Sequence, residues 1–251
     1  MEPPSDSSPA VLARASATWP SWTTWWSTAG PARGWWPGGR RPGWSSGGRS
    51  GSRSTGRGRS PASGPATPGW CWSASPPRAH GGNRTGRIFT GDPSGDVLYA
   101  SLHRLGLANR PESTWRGDGL RLHGVRITDP VRCAPPENKP TNAERDTCRP
   151  WIVREFDELR PTVRAVVALG GFAWQAVLPV LAAAGWRVPR PKPVFGHGAH
   201  AVLPATGDGP ELHLFGCFHV SPRNTYTGRL TLPMVDDLLR TAAVAAGLDP
   251  V

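Results

Sequence analysis

From Ala13 to Ala79 the chain is written in eight residue types, Ala, Arg, Ser, Thr, Trp, Pro, Gly and Cys, and no others. Lys, Asp, Glu, Asn, Gln, Ile, Leu, Val, Phe, Tyr and Met are all missing, so the segment does not read like a folded protein. Nine of the 13 Trp fall before Gly82, yet the only Val or Leu there are Val11 and Leu12. A disordered Gly/Ser/Pro/Arg arm that touches nucleic acid electrostatically accounts for the charge. It leaves the Trp unexplained, because disordered arms are poor in aromatics.

The genetic code accounts for both. These eight types have codons with G or C at the second position, the alphabet produced when a gene rich in G or C at third positions is read one base out of step. About residues 13–78 are therefore expected to be an out-of-frame translation. Shifted back by one base, Trp70-Cys71-Trp72 becomes Val-Leu-Val when the following serine codon begins TC, and the residues through Pro76 then permit Gly-Leu-Ala-Pro. That reads as a buried parallel strand entering a Gly-rich loop. Ser27 to Gly34 permits a stretch containing Cys-x-x-Cys. The true frame is expected to resume near Arg78 to His80, and the first strand to be lost in the chain as written.

The expected organisation is thus a low-complexity, disordered segment over 1–79 and one folded domain over 80–251. Nine Arg and two acids in 1–82 leave +7, and 20 bases against 16 acids in the rest leave +4, which together make the net +11. An anionic partner is implied. No run of 18 apolar residues exists to span a membrane, and nothing near Met1 forms the apolar core of a secretory signal. Four scattered Cys suit a reducing cytoplasm.

Within 83–251 the pattern alternates. Ser94 can cap a helix with Val97, Leu98, Leu102 and Leu105 on its apolar stripe. Leu122 to Thr128 reads as a strand. Thr141 and Glu144 have capping-box spacing at the start of a helix expected to break at Pro150 and resume to Leu159. Arg164 to Leu169 is a buried strand, Phe172 to Ala184 a helix kinked at Pro179, Leu212 to Phe218 a strand, and Leu232 to Ala246 the last helix. Such alternation predicts a three-layer α/β/α sandwich with a mainly parallel central sheet. Its sites belong at the carboxyl ends of the strands.

Three segments crowd those ends: HGGNRTGRIFTGDPSGD (His80 to Asp96), VRCAPPENKP (Val131 to Pro140) and HVSPRNTYTGRLT (His219 to Thr231). Together, in order, they resemble the type-5 uracil-DNA glycosylases (UDGb), an iron–sulfur branch of the uracil-DNA glycosylase superfamily, over essentially all of residues 80–246. The shifted-frame Val-Leu-Val-Gly-Leu-Ala-Pro and Cys-x-x-Cys fall where that family carries its first strand and first two cluster cysteines. The resemblance implies hydrolysis of the glycosidic bond of uracil, and of other deaminated bases such as hypoxanthine, in double-stranded DNA, without a nucleotide cofactor. It further implies a monomeric, cytoplasmic bacterial enzyme that reaches the nucleoid through DNA.

The resemblance assigns roles to individual residues. Asp92 would orient the attacking water and stabilise the sugar cation, although as a bare residue it reads equally as a helix-capping carboxylate. Phe89 would stack on the extruded base, with Gly91 beside it; an ordinary core aromatic is the alternative. His219 follows a strand and would reach the base carbonyl oxygen, where a structural His is the bland reading. Asn138 would read the base edge or else form an Asx turn. Val220, Ser221, Pro222, Arg223 and Asn224 would fill the duplex gap, with Arg84, Arg87 and Lys139 on phosphates or simply solvated. Cys133 and Cys148 would be half of the ligand set of a 4Fe–4S cluster whose other half, the N-terminal Cys-x-x-Cys, this chain does not contain. His197 and His200 make only a weak zinc motif. Two rival expectations remain: a non-catalytic basic nucleic-acid binder, and a glycosylase inactivated by the frame slip.

Overall fold

The computed structural model describes residues 70–73, 82–132, 135 and 140–251, and of residues 70–73 and Asn83 the backbone alone. Its strands are β1 (Trp70–Ser73), β2 (Val125–Thr128), β3 (Ala165–Leu169), β4 (His200–Leu203) and β5 (Leu212–Cys217). Its helices are α1 (Gly82–Thr85), α2 (Pro93–Arg104), α3 (Asn142–Leu159), α4 (Gly171–Ala183), α5 (Pro222–Thr225) and α6 (Leu232–Ala245). The sheet order is β2-β1-β3-β5-β4, with β2, β1, β3 and β5 mutually parallel and β4 antiparallel to β5.

Period-two alternation splits the core into two layers. Ala165, Val167 and Leu169 of β3, with Phe215 and Cys217 of β5, face α2 and α6, where Leu98, Tyr99, Leu102, Val235 and Leu239 meet them. Val166 and Ala168, with Leu212 and Leu214, face α3 and α4, where Phe156, Leu159, Trp174 and Val177 are buried. The expected α/β sandwich with a mainly parallel sheet is observed.

One expectation about it is corrected. The first strand is present in the chain as written: Trp70–Ser73 is hydrogen-bonded between β2 and β3 at the centre of the parallel sheet. The sheet therefore begins inside the segment read as lying outside the folded domain. The rest of residues 1–79 lies outside the described residues.

The helices also differ in detail. Helix α2 is capped by Asp92 instead of Ser94, because the Asp92 carboxylate accepts from the Ser94 and Gly95 amides and Pro93 takes the first helical position. Helix α3 runs unbroken through Pro150. The carbonyl that Pro150 leaves unbonded belongs to the exposed Asp146, while burial of Trp151, Ile152 and Phe156 holds the helix in place. The Thr141–Glu144 capping box is present. Helix α4 likewise continues past Pro179.

Parallel strands align their carboxyl ends. Asp129 follows β2, Gly170 follows β3, and Phe218-His219 follows β5, all at one edge of the sheet.

Candidate active site at the carboxyl edge of the sheet

The turn 86–92 is built around a strained aromatic. Phe89 has φ 55, a left-handed conformation that costs a bulky residue about 1–3 kcal/mol. The surroundings hold it there. Tyr99 Oη donates to the Ile88 carbonyl at 2.9 Å, and Thr85 Oγ1 donates to the Arg87 and Thr90 carbonyls at 3.2 and 3.3 Å. The Arg87 guanidinium binds Asp118 at 2.8 Å, Ser113 Oγ at 2.9 Å and the Arg116 carbonyl at 2.9 Å. Gly91, with φ 77, then turns the chain into Asp92.

The Phe89 ring, almost buried, lies 6.1 Å from the His219 ring at an interplanar angle of 37°. His219 is half-buried after β5, and its carbonyl accepts from Asn224 Nδ2 at 2.8 Å, which ties the following loop to the strand end. Asp92 is also half-buried. It caps α2 through Oδ1, at 3.0 Å from the Ser94 amide and 3.1 Å from the Gly95 amide, and Oδ2 takes no part in the cap.

A third polar group sits deeper. Asp129 is completely buried, and neither carboxyl oxygen has a hydrogen-bond partner among the described residues. Burial drives its carboxyl well above the ordinary carboxylate range; Arg132 opposes this, while Asp92 and Glu155 reinforce it. Burial thus favours the protonated form of this carboxyl, which can donate as well as accept.

Beside it, Glu155 of α3 gathers the buried cations. Arg126 donates to it at 2.6 Å, Thr128 at 2.9 Å, and Arg132 binds the same carboxylate. Burial pushes Glu155 up, but Arg132 and Arg126 outweigh it and hold the carboxyl below its ordinary value. This network pins the segment entering Cys133 onto α3, two turns from Cys148.

A strained aromatic, an imidazole and a carboxylate at the carboxyl edge of a parallel sheet suit stacking and polarisation of a planar group. A sequence model of the Uracil DNA glycosylase superfamily matches residues 61–243. The chain belongs to the uracil-DNA glycosylase superfamily. It is similar to the type-5 uracil-DNA glycosylase of Mycobacterium bovis, 54% identical over 173 residues, covering 69% of this chain and 61% of that protein. Those of Mycobacterium leprae (53% identical, 68% of this chain, 71% of that one) and Thermus thermophilus (48%, 68% and 73%) are similar too. The match thus spans about three fifths of the Mycobacterium bovis protein.

Within this superfamily member, the turn of the first motif and the start of the third meet as the Phe89–His219 pair. Gly91 borders Arg84, whose guanidinium would lie 3.0 Å from a β-carbon there, and Arg84 is exposed. Ser221, Pro222 and Asn224 are half-buried, and Arg223 is exposed, on or beside the short helix α5. Asn138, Lys139 and Cys133 lie outside the described residues.

Two expected DNA contacts are corrected. Arg87 is buried with its charge committed to Asp118, so it is a scaffold for the turn. Val220 is buried in the core layer with Leu230 and Val235, so it has no face for a duplex gap. The zinc motif also dissolves: His200 Nε2 pairs with His213 Nδ1 at 3.0 Å, and His197 Nδ1 accepts from the Phe218 amide at 3.3 Å. Asp129 is the residue the three motifs do not contain; its position directly after β2 at the carboxyl edge is the signal the sequence holds for it. No helix among the described residues is long and apolar enough to cross a membrane.

Proposed function

We propose that the protein removes uracil, and other deaminated bases such as hypoxanthine, from double-stranded DNA by hydrolysing the bond between base and C1′. The observation that supports this best is the Phe89–His219 pair, an aromatic face and an imidazole 6.1 Å apart at the carboxyl edge. An extruded base stacks on Phe89, and His219 reaches its carbonyl oxygen. As the bond breaks, its electron pair leaves with the base, making the base anionic and the sugar cationic. His219 stabilises the first charge and Asp92 the second. Water oriented by Asp92 adds its oxygen to C1′, and the proton it gives up ends on the released base.

Asn138 reads the base edge. Ser221, Pro222 and Asn224 occupy the gap, while Arg84, Lys139 and Arg223 meet phosphates. In this reading the catalytic domain is residues 80–251 together with β1, acting as a monomer in the cytoplasm.

A 4Fe–4S cluster asks for four thiolates. Cys133 and Cys148 suit two positions by the family resemblance, and Cys148 is buried on α3, two turns before Glu155. Cys217 is buried in β5 with its thiol pushed up to about 12, and Cys71 sits within the central strand β1. The residues present do not complete the set, and no step above depends on it.

The test is incubation of the full chain with a uracil-containing duplex, reading free uracil and alkali-labile sites. Release that disappears in Asp92→Ala and His219→Ala supports the enzyme. Salt-sensitive binding without release would return the chain to the nucleic-acid binders.

A further inference from the structure

We propose that the loop 111–121 is a second DNA-contact element, in which Trp115 packs on the nucleic acid beside the extruded base and Arg116 meets a phosphate. The proposal rests on the glycosylase reading of the turn next to it.

Trp115 is 59% exposed, whereas Trp151, Trp174 and Trp186 are all 2% or less. A single exposed aromatic needs no explanation by itself. This one is braced. Asp118 Oδ2 accepts from the Trp115 amide at 3.3 Å and the Thr114 amide at 2.8 Å, and Oδ1 accepts from the Leu120 amide at 2.9 Å. The same carboxylate is ion-paired with the buried Arg87. Burial pushes Asp118 up, but those amides and Arg87 outweigh it and hold the group far below the ordinary range, so the clamp stays charged. A β-carbon on Gly117 would come within 2.2 Å of the indole, so only glycine lets the ring lie against the backbone at that point. The remainder of the ring is left to solvent.

The loop rides on the active-site turn. The Arg116 side chain lies 3.5 Å from where a β-carbon on Gly86 would stand, and the Arg116 carbonyl takes the Arg87 guanidinium. Arg84 and Arg116 are exposed on either side of this turn, with Arg121 exposed at the end of the loop. Of the loop's acids, Asp118 is neutralised by Arg87 and Glu112 lies near Asp96. An exposed indole on a braced backbone among guanidinium groups is what nucleic-acid surfaces use, since every base offers a π-face and every phosphate a charge. Fixing the loop backbone in advance through Asp118 lowers the cost of ordering it on binding.

The experiment compares the full-length wild type, Trp115→Ala, Trp115→Phe and Arg116→Gln. Each is tested for uracil release from a duplex and for affinity to a duplex carrying 2′-fluoro-2′-deoxyuridine, which resists hydrolysis. Trp115→Ala is expected to weaken binding about 5- to 100-fold, and Trp115→Phe to recover most of it. KM should rise in Trp115→Ala while kcat is unchanged, as for a contact made equally in ground and transition states. Arg116→Gln should reduce the slope of log affinity against log salt by about 0.9. Wild-type release with Trp115→Ala and Arg116→Gln both binding within twofold of wild type would overturn this proposal and leave the glycosylase reading standing. A wild type that binds through Trp115 yet frees no uracil would overturn the glycosylase reading on which it rests.

Discussion

The carbonyl oxygen of Phe89 lies 1.8 Å from where a β-carbon on Gly95 would stand. The strained turn and the first turn of α2 are therefore in direct backbone contact, and only the absence of a side chain at Gly95 permits it. Gly95→Ala must push the turn away from the helix. A loss of about 1–3 kcal/mol in urea unfolding is expected, as for other overpacked sites. Uracil release should fall further than stability alone explains, because Phe89 moves relative to His219. Unchanged release would mean that the Phe89 position is not needed.

Asp92 has two duties that substitution can separate. Asn caps a helix about as well as Asp, whereas Ala costs about 0.5–2 kcal/mol. Asp92→Asn should therefore keep wild-type stability but lose uracil release, since the amide carries no charge to set against a sugar cation. Asp92→Ala should lose both. Full activity in Asp92→Asn would leave the residue as a cap alone.

Asp129 makes stability depend on pH in a defined direction. The unfolded chain ionises this carboxyl near 3.8, and the folded chain keeps it neutral well above that. Its contribution is complete below pH 3.8 and declines as pH rises toward the folded value, by up to about 1.4 kcal/mol per pH unit. Asp129→Asn removes the decline, so the variant should gain on wild type between pH 4 and pH 7 in denaturant midpoints. An equal difference at both pH values would show that Asp129 is ionised in the fold.

If residues 13–78 are an out-of-frame translation, the native central strand carries Val-Leu-Val where Trp70, Cys71 and Trp72 stand. Trp70 pairs in register with Val125 and Ala165, and Trp72 with Ile127 and Val167, at the centre of the parallel sheet. Trp is bulkier than the Val, Ile and Leu that parallel strands ordinarily carry. Replacing Trp70, Cys71 and Trp72 by Val, Leu and Val should raise the melting temperature. The nucleotide sequence of codons 10–82 checks the premise directly: a clean frame throughout removes it.

Much of the fold was legible because its signals are local. Thr141 with Glu144, the aliphatic run ending at Leu169, and the apolar stripe of α2 each lie within one element, where periodicity and capping operate. The three motifs could be read the same way, and with them the superfamily. Pro150 misled because its local penalty was real but smaller than the burial of Trp151, Ile152 and Phe156 around it. Capping went to Asp92 because Pro93 shifted the first helical position, a competition that composition does not rank.

What only the tertiary structure decided was how distant residues settle one another's charge and exposure. Arg87 and Arg84 look alike in the motif, yet Asp118, 31 residues beyond Arg87, buries one and leaves the other in solvent. Val220 reads as a wedge until α6 covers it. Asp129 follows β2 like any loop acid, until the sheet edge closes over it and leaves it without a donor among the described residues. Chain order determined which elements form; the packing of segments far apart in that order determined which polar groups remain available for chemistry.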